Sequence, residues 1–251
     1  MDSLYYHYTS ADVLLKLLEP VLSGSDEIVF HASEISCMND VLENKIVAEE
    51  LFSQSRDVKA RLKKAREDFN CSCFVLSLGM NCHESIPMWS MYGDDFAGVC
   101  LQFHRLDKRV KYGNSKGCIP DEKQLIECEY KPQDNIRKIA SELRKLFGES
   151  SDTKAAYQKL LLASCALKTL PFKYENECRY VLFTNKFKFK SSRYGIVRYV
   201  DMPLPLSSLK KIYVGPLASD VTEQSIRQIV TRINQDKGMN IKFVRSNLKI
   251  R

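Results

Sequence analysis

The chain lacks the short motifs that mark the commonest catalytic folds. No HExxH, GxSxG, GxGxxG or Walker pattern occurs, which weighs against zinc proteases, α/β-hydrolases, Rossmann enzymes and P-loop NTPases. Histidine is scarce: of the four present, His31, His83 and His104 have no useful partner spacing, leaving only His7 in a suggestive context. No stretch approaches the roughly 18 apolar residues of a membrane helix. The opening MDSLYYHYTSADVLLKLLEP has neither the basic n-region nor the small-residue cleavage site of a signal peptide, so a cytoplasmic protein with no membrane partner is expected. CxxC pairs are missing too. The nine cysteines are scattered through strand-like runs, and Cys71, Cys73, Cys82 and His83 lack the tight pairing of structural zinc, so reduced core thiols and no metal are expected.

What is present describes an ordinary globular chain, 44% hydrophobic and 27% charged, and its 251 residues suffice for a full core without staples. Its charge is uneven. Residues 168–251 carry 17 Lys/Arg against 6 Asp/Glu, leaving the preceding part net acidic. A basic final third suits an anionic partner such as a nucleotide or nucleic acid, or equally a solvated surface serving solubility.

In order, Leu4–Thr9 reads as a strand. Ser10 starts a helix whose stripe Val13–Leu18 ends before Pro20, and Ile28–Ala32 is a second strand. Asn39 and Asp40 are cap candidates, and Glu49–Asp68 is a charged helix with Leu51, Phe52, Val58 and Leu62 on its buried face. Cys71–Leu78 is an internal strand, and Pro87 opens a short helix bearing Trp89, Ser90 and Tyr92. Val99–Phe103 is a buried strand, and Lys111–Glu122 a surface excursion. After a strand at Leu125–Tyr130 come helices at Asp134–Phe147 and Thr153–Leu167, joined by the polar Gly148–Asp152. Further strands lie at Tyr174–Phe183, Phe187–Lys190, Gly195–Val200 and Leu209–Val214, with a helix at Thr222–Lys237 and a closing strand at Ile241–Val244. Strands mixed with helices, without steady βα alternation, predict an α+β fold over a doubly wound sheet. The expected organisation is one domain over 1–251, with a helical insertion at about 131–168 and a basic strand–helix–strand part at about 172–251.

Two stretches invite chemistry. In MWSMYGDDFAGVCLQF, Met88–Phe103, a serine and two aromatics precede a tight turn; they form either the floor of a site for a flat polar ligand or a core plug. In Glu175-Asn176-Glu177, alternation on a strand places Glu175, Glu177 and Arg179 on one face. Two such carboxylates grip sugar hydroxyls, stabilise a developing oxocarbenium ion or deprotonate a nucleophile; the plainer reading is a wet face salted by Arg179, contributing about 0–1 kcal/mol. A part-buried His7 offers one neutral hydrogen bond to a hydroxyl, or is a satisfied core histidine.

YHYTS at Tyr6–Ser10, FHASEISCMNDVLE at Phe30–Glu43, CFVLSL at Cys73–Leu78, the Met88–Phe103 block and KYENECRYVLF at Lys173–Phe183 together resemble a bacterial family. It is filed as domain of unknown function 2971 (DUF2971), often found near phage-defence or toxin genes. The resemblance covers roughly residues 4–216. The order of histidine-tyrosine strand, aromatic-serine block and late E-x-E strand is also similar to the ADP-ribosyltransferase superfamily. That likeness implies a mixed split β-sheet, helices packed around it, and NAD as substrate. By position it implies His7 on the adenosine-side ribose with Tyr8 beside it, Ser90 and Tyr92 lining the nicotinamide pocket, and Trp89 supporting them. Glu177 would grip the nicotinamide ribose and stabilise the transition state, and Glu175 would orient or deprotonate the acceptor. The chain departs from that pattern in lacking a Ser-Thr-Ser triplet on its middle strand and in placing Arg179 beside Glu177.

The expectation is an NAD-dependent ADP-ribosyltransferase, a toxin or phage-defence effector with a nucleic-acid or protein acceptor and an antitoxin or other defence-system partner. Water as acceptor would make it an NAD glycohydrolase. The alternatives are a non-catalytic module binding nucleic acid through Lys186, Lys188, Lys190, Arg193 and Arg198, and a nuclease using Glu175, Glu177 and Asp40 around Mg²⁺.

Overall fold

A computed structural model describes residues 3–37, 56–81, 83–107, 121–149, 153–192 and 195–250. Asn39, Asp40, Leu51, Phe52, Cys82, Arg193 and most of the expected excursion at Lys111–Glu122 lie outside the described residues.

The chain runs β1 (Tyr5–Thr9), α1 (Ala11–Leu22), β2 (Glu27–Glu34), α2 (Arg56–Phe69), β3 (Ser72–Met80), α3 (Ile86–Tyr92), β4 (Val99–Phe103), β5 (Lys123–Glu127) and β6 (Glu129–Lys131). It continues with α4 (Gln133–Glu149), α5 (Thr153–Ala166), β7 (Leu167–Thr169), a 3₁₀ turn (Leu170–Glu175), β8 (Glu177–Thr184), β9 (Lys188–Ser192) and β10 (Gly195–Pro205). β11 (Leu209–Val214), α6 (Asp220–Lys237) and β12 (Lys242–Arg245) close it. The architecture is mixed α+β. One large sheet has the order β12-β11-β4-β1-β3-β2-β10-β9, with β8 and β5 branching from β3. The β11–β12 pair is parallel and the other described pairs of this sheet are antiparallel.

Strand β3 explains the branching. One of its edges pairs with β8 along its whole length, from Ser72↔Thr184 to Gly79↔Glu177. The opposite edge is shared: β1 takes Gly79 and Met80, and β2 takes Phe74 and Val75. Among the described residues Leu76, Ser77 and Leu78 have no ladder partner on that edge, so the sheet is split between β1 and β2.

Alternation along each strand gives the sheet two faces. Phe74, Leu76, Leu78, Phe30, Leu101 and Ile212 build the main core, covered by α1 through Leu14, Leu17 and Leu18 and by α6 through Ile226, Val230 and Ile233. On the other face, α5 packs Leu162, Cys165 and Ala166 over Cys73, Val75, Val181 and Phe183. Its opposite side, through Ala156, Leu160 and Ala163, meets Ile136 and Leu143 of α4. Beyond the split on this second face, Met88 and Trp89 of α3 pack on Tyr6, Tyr8, Cys100 and Tyr213.

Three elements differ from the sequence reading. Helix α1 passes through Pro20 to Leu22, because a proline one turn from the end forfeits a single hydrogen bond while Val21 stays in the core. The expected strand Leu125–Tyr130 divides: β5 joins β8, whereas β6 pairs in parallel with β7 in a small sheet of its own. Strand β8 begins at Glu177, not at Tyr174. Pro171 opens a 3₁₀ turn that ends on Asn176 in the left-handed region (φ 40°), so Glu175 belongs to the turn.

Candidate functional site

A cavity of about 340 Å³ opens at the split. Its walls come from β1 (Tyr6, His7, Tyr8), β2 (His31, Ser33), β3 (Val75 to Gly79) and α3 (Met88, Tyr92), closed at the far side by Lys168, Glu175, Glu177 and Arg179. That volume lies at the small end of ligand pockets, which span about 300–1,000 Å³.

The far wall is a buried ionic quartet. Glu177 and Arg179 alternate on β8 and so share a face, and the guanidinium chelates the carboxylate: Nε donates to Oε1 at 2.8 Å and one terminal nitrogen to Oε2 at 2.9 Å. The other terminal nitrogen donates to the Cys165 carbonyl at 3.0 Å, tying β8 to α5. Lys168 enters from β7. Its ammonium donates to Glu177 Oε2 at 2.7 Å and also to Glu175 Oε2. Tyr92 donates from α3 to Glu175 Oε1 at 2.9 Å, and the Glu177 amide donates to the Tyr130 hydroxyl at 2.7 Å. All four charged residues are at most 5% exposed. The sequence reading of a wet face salted by Arg179 is therefore replaced by a desolvated cluster in which two cations balance two anions. Such a cluster is costly to disrupt, whatever its net contribution to stability.

Electrostatics fix the protonation states. Burial alone would raise the Glu177 pKa, but the Arg179 and Lys168 charges outweigh it and bring it down to about 2. Burial lowers the pKa of His7, partly offset by its bond to Ser77, so the ring is neutral near pH 7. Its Nδ1 donates to the Ser77 carbonyl across the split at 3.3 Å, which leaves Nε2 as the acceptor. The Ser77 hydroxyl is buried on the cavity wall without a partner among the described residues.

Of the candidate residues, His7, Tyr8, Tyr92, Glu175 and Glu177 line this cavity together. Trp89 and Ser90 do not. Trp89 is fully buried behind Tyr8, edge-on at 5.0 Å, and Ser90 is exposed on the outer side of α3. Glu175 reaches the cluster from the 3₁₀ turn instead of the strand face. Sequence reasoning missed Lys168, Ser77 and His31. The one available signal for Lys168 was a lone cation ending the apolar run LLLASCAL. Among the described residues no group of three or more His, Cys, Asp or Glu side chains could hold a metal ion, and Asp40 of the nuclease alternative lies outside them. No described helix is long and apolar enough to cross a membrane.

Fold and site thus define a mixed α+β protein with a cavity at a sheet split and a buried acid–base quartet on its wall. Residues 88–180 match the model of a family described as "Protein of unknown function (DUF2971)", a stretch that includes Tyr92, Lys168, Glu175, Glu177 and Arg179. The match supports the family resemblance seen in the sequence. No curated protein matches the chain, and no solved structure does.

Proposed function

We propose that the cavity binds NAD and that the protein is an ADP-ribosyltransferase-like enzyme. The observation that carries this reading is that His7 and Glu177, 170 positions apart, line one cavity at a split in the sheet. A carboxylate held ionised down to about pH 2 suits the stabilisation of positive charge developing on a ribose as the nicotinamide bond breaks. Arg179 and Lys168 keep Glu177 in one orientation, and Tyr92 does the same for Glu175, to which this reading gives the role of deprotonating an acceptor hydroxyl or amine. His7, neutral and anchored by Ser77, offers Nε2 to a sugar hydroxyl. A toxin or phage-defence role with a macromolecular acceptor follows from the family resemblance.

A second reading is favoured by the quartet itself. Each Glu177 oxygen already accepts from Arg179, and Oε2 also from Lys168, which suits a pocket that binds the dinucleotide without breaking it. One experiment separates the two: NAD is incubated with the protein and with Glu177→Gln, and nicotinamide release is followed. Transfer or hydrolysis predicts release by the wild type that falls about 100-fold or more in the variant. Equal release removes Glu177 from the chemistry, and NAD binding without release leaves the non-catalytic pocket.

A further inference from the structure

Beyond the quartet, the face that bears the cavity continues over β2, β10 and β9. Tyr199 and Asp201 of β10 stand opposite Ser33 and His31 of β2, and Lys188 and Lys190 of β9 stand opposite Tyr199 and Val197. Directly opposed residues share a face, so these side chains form one surface with the cavity wall, to which His31 and Ser33 belong. The His31 and Tyr199 rings lie 4.3 Å apart, and the Lys190 ammonium sits 5.2 Å from the centre of the Tyr199 ring. Lys188 is neutralised by Asp201, whose other oxygen lies 3.8 Å from His31 Nε2. Nearby, Lys16 is paired with Asp12. Lys190 differs from both: it is half-buried against an aromatic ring and no carboxylate balances it among the described residues. After those pairs cancel, Lys190 is left among the described residues as an uncompensated positive charge on this surface, held against a ring.

We infer that Lys190, Tyr199 and His31 form a subsite for the diphosphate of a nucleoside diphosphate. The Lys190 ammonium binds phosphate oxygens, Tyr199 fixes that ammonium over its ring, and His31 donates a further hydrogen bond. Strands spaced about 4.8 Å apart place β9 three steps, about 14 Å, from the unpaired edge of β3. The subsite is thus set on the β2 side of the cavity, joined to it through His31 and Ser33. The place of the subsite rests on this geometry, and the choice of ligand rests on the NAD reading above.

The test is calorimetric titration of the full chain with ADP, alongside Lys190→Gln and Lys190→Arg, with thermal unfolding of each variant as a folding control. The subsite predicts a loss of ADP affinity of about 10- to 100-fold in Lys190→Gln and its retention in Lys190→Arg. If NAD is turned over, Lys190→Gln raises KM and leaves kcat near the wild-type value. Lys190-dependent ADP binding without NAD turnover sustains the subsite while the transferase reading fails. The inference is overturned if wild type and Lys190→Gln bind ADP equally, or if wild type does not bind it. Binding of a single-stranded oligonucleotide but not ADP, lost in Lys190→Gln, likewise overturns it in favour of a nucleic-acid edge.

Discussion

Arg179 is the residue whose loss would be felt first. Arg179→Met leaves Glu177 buried with Lys168 as its remaining counter-ion, and removing one member of such a cluster costs about 3–5 kcal/mol. Urea unfolding should show that loss. The double variant Glu177→Leu/Arg179→Met, which leaves Lys168 paired with Glu175, should be less destabilised than the single one. His7 and Glu177 both contribute to the acid limb of stability, beside His31, Asp121 and Glu223, whose pKa values are also lowered. His7 has a depressed pKa, so the unfolded chain takes up a proton below about pH 6.5 that the folded chain refuses; stability falls from there down through the folded pKa. Glu177 contributes fully above about pH 4.5, and that contribution is lost as pH falls through about 2. Melting temperatures between about pH 8 and about pH 3 should therefore decline in two stages, with His7→Gln making the upper one shallower and His31 supplying the rest of it. A flat profile in the wild type would mean that the ring is solvated. At this scale the sequence was half-readable. The i, i+2 spacing of Glu177 and Arg179 announces a shared strand face, but nothing in the string says that the face is buried. Lys168 stayed hidden because its partners are set by β7, a three-residue strand defined by its pairing with β6, not by a pattern of its own.

Among the elements, the turn after α3 holds Tyr92 in register with Glu175. Asp94, Asp95 and Phe96 all have positive φ (52°, 47° and 68°), a conformation that costs roughly 1–2 kcal/mol per non-glycine residue. The turn is kept by bonds from the Phe96 amide to the Trp89 carbonyl and from the Leu217 amide to the Phe96 carbonyl. Gly215 lies so close that a Cβ there would overlap the Phe96 carbonyl. Two opposite outcomes are expected from denaturation: Asp95→Gly relieves strain and stabilises by about 0.5–1 kcal/mol, whereas Gly215→Ala pushes on the turn and destabilises. Loss of nicotinamide release in Gly215→Ala, with the fold retained, would tie the turn to the position of Tyr92. Local signals located most elements well: the Ser10 cap of α1, Pro87 inside α3 and the strand at Leu209–Val214 lie where the sequence places them. The 3₁₀ turn was misread as strand because Tyr174 and Glu175 extend the alternation of Glu177–Thr184 acceptably. Only the backbone at Asn176, whose side-chain amide donates to the Met80 carbonyl at 2.6 Å, reveals the break.

For the whole molecule the decisive feature is that β3 belongs to both halves of the sheet. The element order argued for α+β, but the split arises from pairings between strands far apart in the chain, and a lone sequence carries no trace of register between β3 and either β1 or β2. Because the Ser77 carbonyl points into the split, its amide does too, as N–H and C=O of one residue share an edge in an antiparallel strand. Hydrogen exchange should accordingly find the Ser77 amide faster than those of Leu76 and Leu78, and slowed once ADP or NAD is bound. Equal protection of all three in the free protein would argue that the notch is closed. The Ser77 amide in that notch is a donor that every residue except proline carries, so a substitution at position 77 that keeps the strand leaves it in place. A change of side chain reaches the notch through its two rims instead, His7 on β1 and His31 and Ser33 on β2.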